Sequence, residues 1–76
     1  MVRLISEYSF KARSGQLHTI QDFKTVEDAL HFVETRPDNK KYGIERYFGE
    51  YTVHGKCDLL MTVETDDYVK NYYVFE

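Results

Sequence analysis

The sequence has few cysteines, few glycines and no long apolar run, and each scarcity excludes a class of protein. Its single cysteine, Cys57, cannot form a disulfide within the chain, which is typical of a reducing compartment. No apolar run approaches the ~20 residues of a membrane span. Glu7 interrupts the first apolar stretch before it reaches the length of a signal-peptide core. We therefore expect a cytoplasmic protein that does not associate with membranes.

The four glycines are isolated from one another, so no glycine-rich phosphate loop occurs. A chain of 76 residues is too short for a doubly wound nucleotide fold or a barrel enzyme. We expect residues 1–76 to form one domain without repeats or linkers. The sequence shows no set of residues that would form a substrate pocket with a catalytic base and a group that orients the base. We therefore expect no enzymatic activity, no catalytic residue and no cofactor.

A hydrophobic content of 42% with 16% aromatics indicates a folded domain rather than a disordered chain. Apolar and polar residues alternate over residues 2–12, and a second strand follows over 17–23. Thr25 is a good helix N-cap, and Pro37 ends the helix that follows. We expect residues 37–41 to form a polar loop. Residues 42–75 contain three further strands. The predicted fold is α+β, a ββαβββ antiparallel sheet of four to five strands with one helix packed on one face.

The register of the first hairpin stays open between two alternatives. A two-residue turn at Ser14 and Gly15 places Leu17, Thr19 and Phe23 on the buried face. A slip of one residue buries Ile20 instead, because side chains alternate along a strand.

One short helix covers only one face of a sheet, whereas the last three predicted strands are apolar on both faces. A two-residue turn at Gly55 and Lys56 and a three-residue turn at 65–67 define which residues remain uncovered. That face comprises Tyr51, Val53, Leu60, Tyr68, Tyr72 and Val74, edged by Asp58 and Glu64. We expect these eight residues to bind a partner, since exposed apolar clusters mark interaction sites. Accordingly, Tyr72→Ala should leave the fold intact. The alternative is an ordinary sheet surface with cross-strand tyrosine pairs.

Charge divides the chain into two halves. Residues 1–41 carry seven basic and six acidic side chains, a net +1, and residues 42–76 carry three basic and seven acidic ones, a net −4. An acidic surface attracts basic partners. We therefore expect a small acidic protein that binds a protein with a basic surface, as an inhibitor or modulator. Its size, acidity and lone cysteine are typical of small phage-encoded inhibitors, including anti-defence proteins directed at host nucleic-acid-handling or defence proteins.

Two other functions remain open. A nucleic-acid-binding regulator would use the basic side chains of the N-terminal half, which are Arg3, Lys11, Arg13, Lys40 and Lys41. The sequence pI of 5.5 weighs against it, because nucleic-acid-binding domains are usually basic. A homodimeric structural module would instead pair two uncovered sheet faces.

Candidate metal ligands are sparse in the sequence. His54 and Cys57 form one H-x2-C pair, while His18 and His31 lie far away along the chain. Structural zinc sites need four ligands, usually supplied as two close pairs, so we expect no metal site. Cys57 with His54 or His31 resembles a catalytic dyad, but no oxyanion-hole loop accompanies either pair.

Overall fold

The computed structural model describes residues 1–76 and confirms the α+β class, with a five-stranded antiparallel sheet and helices on one face. The elements are β1 (Val2–Phe10), β2 (Gln16–Phe23), α1 (Val26–Glu34), α2 (Pro37–Tyr42), β3 (Glu45–Phe48), β4 (Tyr51–Thr52), β5 (Gly55–Lys56), β6 (Leu59–Glu64) and β7 (Tyr68–Phe75). The strand order is β2-β1-β7-β6-β3, so the first and last strands are neighbours at the centre. Neither helix has the length and apolar character needed to span a bilayer.

The first hairpin has the strand facing of the first predicted alternative but not its two-residue turn, because Ser9 pairs with Gln16 and residues 11–15 connect the strands. Leu17 and Thr19, which were predicted to be buried, are exposed. Val2 lies opposite Phe23 across β1 and β2. Phe23 therefore shares the helix-facing side of the sheet with Leu17 and Thr19, and Ile20 lies exposed on the opposite side. We call that opposite side the outer face.

Helix α1 begins where the sequence predicted. Thr25 is the N-cap, and its Oγ1 accepts a hydrogen bond from the Asp28 backbone N at 3.1 Å. Ala29 and Val33 are buried against the sheet. The polar loop predicted after this helix is wrong, because Pro37 begins the short helix α2. Proline suits the first helical position, where its missing N–H would have no partner.

The core lies between α1 and the helix-facing side of the sheet. It consists of Val2, Leu4, Ala29, Val33, Leu59, Met61, Val63, Tyr72 and Val74. One polar side chain, Asn39 of α2, is buried beside this cluster. Its Nδ2 donates to the Val33 carbonyl at 2.7 Å and to the Tyr72 hydroxyl at 3.0 Å. These bonds satisfy a carbonyl at the end of α1 and fix α2 to β7.

The predicted register of the last two strands is wrong. The turn between β6 and β7 contains two residues, Asp66 and Asp67, because the Thr65 backbone N donates to the Tyr68 carbonyl at 2.9 Å. Glu64 consequently lies opposite Val69. A change of one residue in turn length sends every β7 side chain to the other face. The residues that face the helices are therefore Tyr68, Lys70, Tyr72 and Val74, whereas Val69, Tyr73 and Phe75 lie on the outer face.

The predicted turn at Gly55 and Lys56, which opposed Val53 to Asp58 and Tyr51 to Leu60, is also wrong. The turn consists of Val53 and His54, and Tyr51 pairs with Lys56. The β3–β6 and β4–β5 ladders share one continuous register, joined by hydrogen bonds from Gly49 N to Asp58 O and from Cys57 N to Glu50 O.

The two ladders therefore form one long hairpin that spans residues 45–62. Gly49, with a φ of +65°, lies between β3 and β4, in a conformation that side chains disfavour. We call residues 51–56 the hairpin tip. Through His54, this tip reaches the outer face of the sheet at β1 and β7.

Candidate functional site

The β7 members of the predicted binding face do not lie on an uncovered surface. Tyr72 and Val74 are each 1% exposed and belong to the core. Tyr68 is half-buried on the same helix-facing side, where its ring lies 5.4 Å from that of Tyr8 and its hydroxyl donates to Asp38 of α2. The prediction that Tyr68, Tyr72 and Val74 lie on the outer face is wrong, because the turn before β7 is one residue shorter than predicted.

The other five members of the predicted face remain accessible to different degrees. Tyr51 and Val53 of the hairpin tip are 81% and 89% exposed. Leu60 is half-buried on the outer face, opposite Tyr47 and Tyr73. Asp58 and Glu64 are exposed. The structure thus brings together only part of the predicted set.

Exposed apolar side chains are concentrated in one short stretch of the chain. Tyr47, Phe48, Tyr51 and Val53 are all exposed, within seven consecutive residues. We call residues 47–53 the apolar segment. Single exposed apolar residues are ordinary, whereas exposed apolar groups that lie together mark interaction sites. Tyr47 and Phe48 are consecutive in β3 and point to opposite faces of the sheet, so the segment does not form one continuous apolar face.

Hydrogen bonds hold the hairpin tip at its base and at its turn. The Cys57 backbone N and Sγ both donate to the Glu50 carbonyl, at 2.9 and 3.4 Å. The Thr52 hydroxyl donates to the Gly55 carbonyl at 2.8 Å and accepts from the His54 backbone N, which closes the turn. The hairpin tip therefore displays its apolar side chains from a defined backbone.

A cluster of titratable side chains lies beneath the hairpin tip. Glu7 of β1 lies directly opposite His18 of β2 on the outer face. Its Oε2 accepts from His18 Nε2 at 2.9 Å and from His54 Nε2 at 3.2 Å, while its Oε1 accepts from the Tyr73 hydroxyl at 3.2 Å. The His54 ring packs against the Tyr73 ring with centroids 4.9 Å apart. Glu7 is only 8% exposed because His54 and Tyr73 cover it.

These contacts determine the charge state of the carboxyl group. Burial by itself raises the pKa of Glu7, but the hydrogen bonds from His54, His18 and Tyr73 outweigh burial and lower it below its usual value. Burial, followed by the nearby Glu7 carboxylate, raises the pKa of Tyr73 to about 12. Glu7 is therefore an ionised, hydrogen-bonded acceptor at neutral pH, and Tyr73 is a neutral donor.

Sequence reasoning missed this cluster. In the sequence, His54 and Cys57 form a pair three positions apart, and His18 lies far from that pair. In the structure, the Cys57 sulfur contacts the Glu50 carbonyl, whereas the ligand atoms of Glu7, His18 and His54 all lie within 4.8 Å of one another. The predicted two-residue turn opposes His18 to Lys11, so the pairing of Glu7 with His18 appears only in the structure.

The basic side chains of the nucleic-acid alternative are dispersed. Arg3 and Lys11 lie at opposite ends of β1, separated by roughly 26 Å of strand. Each forms an ion pair with a carboxylate, at 3.3 and 2.7 Å respectively. Arg13 lies over the Phe10 ring, and Lys40 and Lys41 belong to α2. These positions do not form a single basic surface.

One cation, Lys70, is buried, and its burial has a structural explanation. Lys70 is 3% exposed on the helix-facing side of β7. Its Nζ lies 5.2–5.7 Å from the ring centroids of Tyr8, Tyr68 and Tyr72. Aromatic faces attract a cation, so this aromatic cage is occupied by the chain's own lysine.

Comparison with protein-family models, with curated proteins and with solved structures finds no match for this chain.

Proposed function

We propose that this protein is a small non-enzymatic binding module that uses the apolar segment 47–53 to dock onto another protein, acting as an inhibitor or modulator. The observation that carries the proposal is the outward display of Tyr51 and Val53, which are 81% and 89% exposed on a hairpin tip with a hydrogen-bonded base. Tyrosine is enriched among the residues that contribute most to binding. A fixed backbone also lowers the entropy lost on association.

Charge favours a partner with a basic surface. The C-terminal half, which contains the apolar segment, carries a net charge of −4. Glu45, Glu50 and Asp58 are exposed near the segment. Of the nearby cations, Arg46 is ion-paired with Glu34 at 2.8 Å, and Lys56 lies over the Tyr51 ring, 5.4 Å from its centroid. Complementary charge accelerates the encounter of two proteins and makes it sensitive to salt. The apolar side chains would then supply most of the binding energy.

The proposal is tested by affinity capture from an extract of the source cells with two matched double variants. The hairpin variant, Tyr51→Ser with Val53→Ser, loses the two exposed apolar side chains of the hairpin tip. The β2 variant, Leu17→Ser with Ile20→Ser, loses two exposed apolar side chains elsewhere on the protein. We expect wild type and the β2 variant to retain the same protein and the hairpin variant to lose it.

The captured protein is then purified and its affinity measured at low and high salt. Loss of the two hairpin side chains should weaken binding at least ~30-fold, the factor that corresponds to one strong binding residue. Equal affinity of the hairpin variant, or no captured protein at either salt concentration, contradicts the proposal. Concentration-dependent sedimentation that is abolished in the hairpin variant would replace the partner with a second copy of this chain.

A further inference from the structure

We infer that Glu7, His18 and His54 form a binding site for one divalent transition-metal ion of the Zn²⁺ class, with water as the fourth ligand. This inference is independent of the proposed docking function. Its first support is the set of donor atoms. Two imidazoles and one carboxylate are ligands of open, tetrahedral zinc sites, and imidazole suits zinc and its neighbours in the first transition series.

The second support is the spacing of these atoms. Metal–ligand bonds of about 2.0–2.1 Å in a tetrahedron place neighbouring ligand atoms about 3.3 Å apart. Glu7 Oε2 lies 2.9 Å from His18 Nε2 and 3.2 Å from His54 Nε2. All three atoms are within 4.8 Å of one another. Binding therefore requires shifts of a few tenths of an ångström at the carboxylate, together with approach of the two imidazoles.

The third support is that neighbouring side chains hold the ligands in position. The Tyr73 hydroxyl donates to Glu7 Oε1, which orients the carboxylate and leaves Oε2 directed at both imidazoles. Outer partners of this kind hold metal-binding carboxylates and histidines in place. The His54 ring is further fixed by its packing on Tyr73. The His18 side chain is about half exposed, which leaves a path for the ion and for its water ligand.

Ligation exchanges hydrogen bonds for coordinate bonds. In the structure, each Nε2 faces Oε2 as a hydrogen-bond partner. To bind the ion, each Nε2 must offer its lone pair, so the proton of the neutral ring resides on Nδ1 and any additional proton passes to solvent. Three coordinate bonds then replace the two hydrogen bonds. The ion would join β1, β2 and the hairpin tip, three segments that are distant in sequence.

The test uses the full chain without an affinity tag and titrates it with Zn²⁺ by calorimetry and with Co²⁺ by visible absorption, which is intense only for four-coordinate sites. We expect one ion per chain. Glu7→Gln, His18→Ala and His54→Ala should each weaken Zn²⁺ binding at least ~10-fold, since loss of an outer partner alone costs ~10–100-fold. Tyr73→Phe removes only an outer partner and should weaken Zn²⁺ binding by ~10–100-fold.

His31→Ala is the matched control, because His31 is exposed on α1 and lies outside the cluster. Its affinity should equal that of wild type. Circular dichroism checks the fold of each variant, and His18→Ala decides the matter if Glu7→Gln unfolds, because the His18 side chain is about half exposed. Zn²⁺ should raise the melting temperature of wild type but not of His54→Ala. Two results would overturn the inference: the absence of saturable one-to-one binding by the wild type, or Zn²⁺ affinities equal to that of the wild type in all three ligand variants.

Discussion

Truncation of Tyr72 distinguishes the observed register from the predicted one. If Tyr72 lay on the outer face, as the predicted register has it, Tyr72→Ala would be tolerated. The structure instead places Tyr72 in the core with 1% exposure. Removing a buried aromatic ring costs ~3–5 kcal/mol. That is comparable to the whole stability that a core of this size usually provides. We therefore expect Tyr72→Ala to be largely unfolded at 25 °C.

Two further variants make this prediction quantitative. Tyr72→Phe keeps the ring but removes the hydroxyl that accepts from Asn39, which should reduce the free energy of unfolding by about 1–2 kcal/mol. Tyr51→Ala, at a side chain that is 81% exposed, should change it by less than ~0.5 kcal/mol. Urea unfolding followed by circular dichroism measures all three. A stable Tyr72→Ala together with a destabilised Tyr51→Ala would refute the register.

The remaining predictions concern alkaline pH and the hairpin turn. Burial raises the pKa of Tyr72 even though Asn39 donates to its hydroxyl. Its contribution to stability should be complete below the unfolded pKa of about 10 and be lost as the pH rises towards the folded pKa. The urea midpoint should therefore fall above pH ~10, and fall less in Tyr72→Phe; an identical decline in both proteins argues against this assignment. Gly55 has a φ of +101°, so Gly55→Ala should cost ~1–3 kcal/mol and weaken the His54 contact with Glu7. An unchanged urea midpoint in Gly55→Ala would contradict the expectation that a side chain at this position strains the turn.

Local signals were sufficient for much of the fold. The alternation of apolar residues in β1 and the Thr25 cap of α1 both depend on neighbours within a few positions. Pro37 was ambiguous, because proline both ends one helix and begins another. The five-stranded antiparallel sheet and its single helical layer are consistent with these local patterns, whereas the short strands β4 and β5 were not predicted.

The face occupied by each β7 side chain could not be derived from the sequence. Both parities of that strand carry large apolar side chains, with Tyr72 and Val74 on one and Tyr73 and Phe75 on the other. Composition therefore does not decide the register, and the decision falls to a turn of two or three residues. Thr65 resolves it, because its hydroxyl accepts from the backbone N of Tyr68 and closes the shorter turn.

The Glu7 cluster depends on contacts that only the complete fold creates. Glu7 and His18 meet because β1 and β2 pair in one register rather than its neighbour. His54 joins them because the long hairpin reaches back over the outer face, with Gly49 between its ladders. No spacing rule for metal ligands covers three residues brought together in this way.

The hairpin tip lies on the sheet through His54 and directs Tyr51 and Val53 to solvent. Nuclear Overhauser effects from the His54 ring in the uncomplexed protein test this arrangement most directly. We predict cross-peaks to the rings of Tyr73 and His18, whose centroids lie 4.9 and 5.8 Å away, and none from His54 to Tyr51. Random-coil chemical shifts for residues 51–56 without those cross-peaks would contradict this arrangement.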